Sequence, residues 1–161
     1  MFDHAVRDLV GSERDVLLHY LNKMRDAVVR TSEGLTDEHQ RTAGVPSGTN
    51  LLGLIRHLTW VEEHWFRRVF LGEDRDTDDS MYVPDGEPRE EVVTAYREAC
   101  ARSDEIVRAC ADLSTMAKIA NPGEDQPVSL RRIVAHMIEE TARHAGHADI
   151  LREQIDGATD L

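Results

Sequence analysis

The apolar residues of this chain recur at the three- and four-residue spacing of an amphipathic helix in four separate segments. No segment shows the sustained alternation of apolar and polar residues that a half-buried strand requires. Each helix must bury its apolar face against a neighbour, and four such helices form a bundle most economically. We therefore predict an all-α protein built as a four-helix bundle. The predicted helices run from about Ser12 to Ser32, from Thr49 or Asn50 to Phe70, from near Pro88 to about Leu113, and from near Ser129 to about Ile155.

A long acidic connection separates the second predicted helix from the third. Its sequence, GEDRDTDDSMYVPDGEP, is rich in turn-forming residues and almost free of apolar residues before Met81. We expect a crossover loop there. Loops of this length serve as lids, binding elements or mobile connectors, and we favour a mobile connector. A short helical turn is expected in TDEHQRTA, and NPGEDQPV should break the chain before the fourth helix.

Size, charge and cysteine content limit what the chain can do. A length of 161 residues suits one domain, residues 1–161, with a core that is stable without disulfides. A formal net charge of −12 would repel nucleic-acid phosphates. Cys100 and Cys110 lie about 15 Å apart along one predicted helix, so we expect two reduced core residues. The chain shows no signal-peptide pattern and no membrane-spanning apolar run, so we expect a cytoplasmic protein, either monomer or homodimer.

Four polar side chains share the inward stripe of the fourth predicted helix. In HMIEETARHAGHADILRE these are His136, Glu140, His144 and His147, on the same side as the apolar residues of that helix. A buried carboxylate needs a cation or strong hydrogen-bond donors, because its charge is otherwise too costly to bury. Glu140 and His144, one helical turn apart, can direct two donor atoms at one divalent ion.

A third ligand would have to come from a facing helix. The stretch RHLTWVEEHW in the second predicted helix offers His57 and His64, and His57 lies close to the apolar stripe. Two histidines and one glutamate would leave a coordination position open for water or substrate, as in catalytic metal sites. Two plain alternatives stay open. The histidines could be hydrogen-bonded core residues, and the glutamate could pair with Arg143, Arg132 or another basic residue.

The stretches LLGLIRHLTWVEEHWFRRVFLGE and HMIEETARHAGHADILREQIDG resemble the second and fourth helices of the DinB-like superfamily, in particular its actinobacterial branch of mycothiol-dependent enzymes. The resemblance covers nearly the whole chain. It implies a four-helix bundle that holds one divalent ion, commonly zinc or nickel. On the matching motifs, the implied ligands are His57 in RHLTWVE, His144 in HAGH, and Glu140 four residues before it. Many members of the superfamily have histidine at this middle place, whereas mycothiol-dependent maleylpyruvate isomerases have glutamate.

The resemblance also implies a class of reaction, since related members are thiol transferases, thiol-dependent isomerases or metal-dependent hydrolases. We expect a mycothiol S-transferase-like enzyme, in which a zinc ion, or alternatively nickel or iron, binds the thiol as a thiolate that attacks a small electrophile. His147 would lie beside the ligands and orient a bound molecule. Trp60 and Arg152 are candidates for contact with the electrophile and the thiol, with core packing and a surface role as their plain alternatives. The same alternatives apply to Trp65, Arg67 and Arg68.

Two other functions are compatible with the same residues. One is a hydrolase that uses a metal-activated water, with Glu140 or His147 assisting proton transfer. The other is a non-catalytic protein that stores or senses an ion, in which His147 would help to close the coordination sphere. A pure interaction bundle without metal is the weakest alternative. Dependence of turnover on a thiol would separate the transferase from the hydrolase.

Overall fold

A computed structural model describes residues 11–74 and 79–159 of the chain. Within these ranges there is no strand, only an isolated antiparallel bridge between Met116 and Ser129. The all-α prediction is therefore confirmed. None of the helices in the described part of the chain is both long enough and apolar enough to cross a membrane. The helices are α1 (Glu13–Thr31), α2 (Asp37–Arg41), α3 (Leu51–Glu62), a π-helix (Glu63–Phe70) that continues α3, α4 (Arg89–Ala109) and α5 (Leu130–Asp156).

Three of the long helices begin at the polar residues that the sequence offers as caps. Ser12 and Asp15 form a reciprocal capping box at the start of α1. The side chains of Asn50 and Ser129 each accept a hydrogen bond from the amide three residues further on, at the starts of α3 and α5. The predicted starts of these helices therefore agree with the structure, and α2 is the short helical turn expected in TDEHQRTA.

The predicted ends of the first, second and fourth helices agree with the structure to within one residue, whereas the end of the third does not. Gly157 ends α5 with φ of 76°, a left-handed conformation that glycine adopts without strain. The third predicted helix was expected to reach about Leu113, but α4 ends at Ala109 because Cys110 turns to an extended conformation. As a result Cys110 is only partly buried, whereas we expected a core residue.

The long helices pack in pairs around a shared apolar core. α1 lies along α5, α3 lies along α4, and α3 also contacts α5. Every long helix contributes to one apolar cluster, which includes Leu21 of α1, Phe66 of the π-helix, Val107 of α4 and Ile133 of α5. This arrangement supports the predicted four-helix bundle and brings α3 next to α5, where the proposed ligands lie.

A buried ion network joins three of these helices. The Arg25 guanidinium of α1 donates to both carboxylate oxygens of Glu62 in α3 and to Asp104 in α4, each at 2.7 Å. The Asn22 side chain accepts from Arg25 and donates to Asp104. Arg25 is 1% exposed and Glu62 is 0% exposed. Because an unpaired buried charge is strongly destabilising, this network fixes where α1, α3 and α4 meet.

The second half of the predicted crossover loop is anchored to the helices. Residues 75–78 of this loop lie outside the described residues. Beyond them, the Val83 side chain is buried among residues of α3 and α4, and Arg41 of α2 donates to three backbone carbonyls of the loop. A Cβ atom on Gly53 would lie 2.6 Å from the Met81 carbonyl oxygen, so the glycine permits this close approach. This half of the loop therefore packs against the helices, and the mobility of the connection stays a prediction.

The second predicted helix contains a π-helix that the sequence did not reveal. Its last eight residues have π-helical hydrogen bonding instead of continuing α3. Glu63 at its start pairs with Arg67 and Arg102. At its end, the backbone amides of residues 118 and 119 donate to the carbonyls of Phe70 and Val69. The wider turns are therefore held by neighbouring segments, and π-helical turns occur frequently at functional sites.

Candidate metal centre

The three implied ligands come together where α3 faces α5. His57 lies in the second turn of α3, and Glu140 and His144 lie one turn apart in α5. One nitrogen of each ring and one carboxylate oxygen all lie within 4.8 Å of one another. Glu140 Oε1 lies 3.0 Å from His144 Nε2 and 3.7 Å from His57 Nε2. We call these three residues the His57 cluster.

The donor atoms of the His57 cluster fit a divalent ion. Ligand bonds of about 2.0–2.2 Å place neighbouring ligand atoms roughly 3–4 Å apart around zinc, close to the distances found here. Two imidazoles and one carboxylate form a donor set that zinc, iron and nickel accept. The three side chains are between 14% and 20% exposed, so a small molecule can reach the cluster from solvent.

The protonation states of the cluster suit metal binding. Burial lowers the pKa of His144 below its ordinary value, although the neighbouring Glu140 carboxylate acts in the opposite direction. Burial would by itself raise the pKa of Glu140, but His144, Arg143 and His136 together lower it. At neutral pH the His144 ring is therefore neutral and the Glu140 side chain is ionised, which are the forms that bind metal ions.

Glu140 also contacts Arg143, one of the basic residues that the sequence offered as its partner in place of a metal ion. Arg143 lies 3.3 Å from Glu140 Oε2 and donates to Glu139 as well. Arg132, the other alternative, pairs with Glu124 instead. The ion pair with Arg143 uses Oε2, whereas the two histidines face Oε1. Pairing with arginine and metal binding by Glu140 are therefore compatible.

The other two histidines of the α5 stripe lie outside the cluster. Among the residues that the structure describes, the group of converging donor atoms includes neither His136 nor His147. The His136 ring packs against Trp65, with ring centroids 4.7 Å apart. His147 is exposed, and its ring centroid lies 5.4 Å from that of His144. His147 therefore lies at the rim of the cluster, and its contact with a ligand stays a prediction.

His64, the alternative ligand from the second predicted helix, has a different partner. Its ring is buried, and its Nε2 atom lies 2.7 Å from Oδ1 of Asn121. The Trp60 ring stacks on His57 and on His64, with centroid distances of 6.0 and 4.8 Å. The contact between His64 and Asn121 was not predicted from the sequence. Asn121 lies in the connection before α5, 57 residues from His64, and no helical spacing relates the two positions. Contact of Trp60 with a ligand stays a prediction.

The arginines that were candidates for thiol contact already have partners. The Arg152 guanidinium binds Asp156 and two carbonyls at the end of α1. Eight residues separate Arg152 from His144, which corresponds to about 12 Å of helix rise. Arg67 pairs with two glutamates. These contacts agree with a surface structural role for the two arginines. Contact of Arg152 with mycothiol stays a prediction.

The fold and the site together describe a helical protein with a candidate site for one metal ion, formed by two histidines and a glutamate from two helices. The family model for mycothiol-S-transferase matches residues 16–157, a range that contains the whole His57 cluster. The chain therefore belongs to the mycothiol-S-transferase family, and the resemblance to the mycothiol-dependent branch is confirmed. Comparison with curated proteins found no match.

Proposed function

We propose that this protein holds one divalent ion, most suitably zinc, through His57, Glu140 and His144 and joins mycothiol, through its sulfur, to a small electrophile. The observation that carries the proposal is the convergence of three donor atoms from α3 and α5 in a member of the mycothiol-S-transferase family. Two nitrogens and one oxygen leave at least one coordination position for the thiol. The partial exposure of the cluster supports access from solvent.

Each side chain of the His57 cluster would have its own role in the proposed reaction. Neutral His144 and ionised Glu140 hold the ion from α5, and His57 holds it from α3. The ion would lower the pKa of a bound thiol, so that the thiol is present as a thiolate at neutral pH. Arg143 stays on the second oxygen of Glu140 and leaves the first free for the site. His147, exposed at the rim beside His144, would accept the thiol proton and pass it to solvent.

The nucleophile of the proposed reaction is the thiol substrate and not a protein residue. Cys100 is buried, and burial raises the pKa of its thiol well above the ordinary value, so it stays protonated. The mycothiol sulfur forms a bond to an electrophilic carbon while the bond from that carbon to its leaving group breaks. The leaving group departs with the bonding electrons, the thiol proton goes to solvent, and no oxidant or reductant is required.

Zinc is the proposed ion because two histidines, one carboxylate and an open position form a donor set typical of catalytic zinc. Iron and nickel accept the same donors. The test is to measure the metal content of purified protein by mass spectrometry for the wild type and for His144→Ala. His39→Ala, which removes an exposed histidine of α2, is the matched control. We expect one equivalent of metal in the wild type and control and none in His144→Ala.

Titration of the metal-loaded protein with mycothiol then tests the reaction class. Direct binding of the thiol and formation of a thioether product from a halogenated electrophile would support the transferase. A metal-loaded protein that binds no thiol and cleaves an ester or amide would contradict it in favour of a hydrolase. Absence of metal in the wild type after loading would contradict the whole proposal.

A further inference from the structure

The position of the His57 ring depends on contacts that Glu140 and His144 do not share. Glu140 and His144 lie in one helix and contact each other directly, with 3.0 Å between Oε1 and Nε2. His57 comes from α3, and its ring has two ring neighbours, the edge of His144 and the face of Trp60. The planes of His57 and Trp60 are inclined by only 28°, with centroids 6.0 Å apart. Trp60 therefore limits how the His57 ring can turn.

Trp60 is held on its other side by His64. The Trp60 and His64 planes are inclined by 26°, and their centroids are 4.8 Å apart. His57, Trp60 and His64 follow one another along the helix at intervals of about one turn, so the indole lies between the two imidazoles. Stacked contacts on two imidazoles leave the indole little freedom to rotate. They also occupy ring surface that an aromatic substrate would need for stacking.

His64 is fixed in turn by the connection between α4 and α5. An amide oxygen only accepts hydrogen bonds, so His64 Nε2 donates to Oδ1 of Asn121, 2.7 Å away. The His64 ring is 6% exposed, so solvent offers few alternative partners. The connection is itself anchored, because the amides of residues 118 and 119 donate to carbonyls at the end of the π-helix. Asn121 thus has a defined position relative to the π-helix, which carries His64.

We propose that Trp60, His64 and Asn121 form a positioning chain that fixes the His57 ring for metal binding. The inference rests on the proposed metal site, and it assigns a role to residues that are not ligands. The chain runs from Asn121 through the His64 ring and the Trp60 indole to His57, and each step is a direct contact in the structure. Trp60 and Asn121 are positioning residues, since they act on the ion only through His57.

The test measures zinc affinity by competition with a chromophoric chelator, using zinc alone and no thiol. Asn121→Ala removes the acceptor for His64 and should weaken zinc binding about tenfold, in the range found for residues that orient metal ligands. Asn121→Asp keeps an acceptor oxygen at the same place and should bind zinc like the wild type. Glu124→Gln, which changes a side chain of the same connection that pairs with Arg132, is the matched control and should have no effect.

A second pair of variants tests the other end of the chain. Trp60→Leu should weaken zinc binding by about 10- to 100-fold, whereas Trp60→Phe keeps a stacking ring and should restore most of the affinity. Urea unfolding of the metal-free variants shows whether each is folded. The visible absorption of the cobalt-loaded proteins gives a further readout, because a displaced His57 ring changes the coordination geometry and hence the spectrum.

The outcomes separate this inference from the proposed function. Weaker zinc binding in Asn121→Ala and Trp60→Leu, restored in Asn121→Asp and Trp60→Phe, would support the positioning chain. Equal zinc affinity in the wild type and folded Asn121→Ala would overturn it and leave the metal site intact. If Asn121→Ala does not fold, the Trp60 pair decides, and equal affinities of Trp60→Leu and the wild type would overturn the inference. A wild type that binds no zinc would overturn the proposed metal site itself.

Discussion

Two clusters in this protein combine carboxylates with nitrogen-bearing side chains, and they differ in how their charges are satisfied. In the buried network, the Arg25 guanidinium directs its N–H groups at the oxygens of Glu62 and Asp104. In the His57 cluster, Glu140 Oε1 and the ring nitrogens of two histidines converge on a common point. The first cluster is closed to solvent, whereas the second is partly exposed.

This difference indicates what each cluster is for. In the buried network Arg25 pairs with both carboxylates, and the exposed Arg108 lies 3.5 Å from Asp104, so arginines of the protein itself compensate the two negative charges. The His57 cluster combines one carboxylate with two imidazoles, and its arginine, Arg143, contacts the oxygen that faces away from the histidines. Three possible ligand atoms that converge with partial access to solvent are the arrangement expected of a metal site.

The largest effect is expected from breaking the buried network. Arg25→Met leaves the Glu62 carboxylate buried without its cation and leaves Asp104 with only the exposed Arg108, 3.5 Å away, so the free energy of unfolding should fall by about 3–5 kcal/mol. Urea unfolding measures this loss. Replacing Arg25, Glu62 and Asp104 together by Met, Leu and Leu should recover much of the stability, because an apolar replacement leaves no buried charge. A triple variant as unstable as Arg25→Met would contradict a purely structural role for the network.

The next effect concerns stabilisation by metal through the His57 cluster. With free zinc at 100 times its dissociation constant, the free energy of unfolding should rise by about 2.7 kcal/mol. His144→Ala should show no such rise, while its metal-free stability stays within about 1 kcal/mol of the wild type, because the side chain is partly exposed. Thermal or urea unfolding with and without zinc checks both. An equal rise in His144→Ala would mean that zinc binds elsewhere.

The sequence predicted the helices well because their signals are local. Apolar spacing and caps such as Ser12, Asn50 and Ser129 act within one or two turns, and the structure has helices beginning where they indicate. The π-helix was missed because its partners come from elsewhere in the chain, including Arg102 and the amides before α5. The same holds for the anchored half of the crossover loop, which is held by Arg41 and by its packing around Val83.

The candidate site was predictable to the extent that it lies in one helix. Glu140 and His144 follow from the spacing in α5, and His57 follows from the resemblance of its motif. The buried network was missed, because Arg25 and Glu62 are charged residues in helices and their pairing depends on the packing of α1 against α3. Asn121 was missed for the same reason, since 57 residues separate it from His64. Contacts between distant segments leave no periodic signal in a sequence.

An intermediate effect is expected from alkaline pH on the buried network. Burial raises the pKa of the neighbouring Cys100 thiol, and that of the Tyr96 hydroxyl, well above ordinary values. Above the ordinary thiol pKa of about 8.5, the unfolded chain loses this proton while the folded protein keeps it, so stability falls as pH rises. The slope is at most about 1.4 kcal/mol per pH unit for one group.

Substitution separates the contribution of Cys100 from that of other groups. Cys100→Ala should remove the part of the slope between about pH 8.5 and 10, where the tyrosine hydroxyl is not yet ionised in the unfolded chain. Cys110→Ala, which removes the other, only partly buried thiol, is the matched control. Urea unfolding at several pH values between 7 and 10 measures both. A slope that persists in Cys100→Ala would assign the alkaline sensitivity to another group.

The smallest effect is expected from Arg143, the arginine of the His57 cluster. Its side chain is 53% exposed and contacts Oε2 of Glu140, so Arg143→Ala should change the free energy of unfolding by less than about 1 kcal/mol. By the same reasoning, zinc affinity should change by less than about fivefold, a free-energy change of the same size. Glu139→Ala, which removes the other partner of Arg143, is the matched control.

The two arginines therefore give the sharpest comparison between the clusters. Arg25 donates to two buried carboxylates, whereas Arg143 contacts a partly exposed carboxylate whose second oxygen is directed at the two histidines. If zinc affinity fell by much more than tenfold in Arg143→Ala, Glu140 would depend on arginine for its orientation, as Glu62 does. The His57 cluster would then be organised by an ion pair, and the distinction between a closed network and an open metal site would no longer hold. Calorimetric titration of Arg143→Ala and of the control Glu139→Ala with zinc measures these affinities.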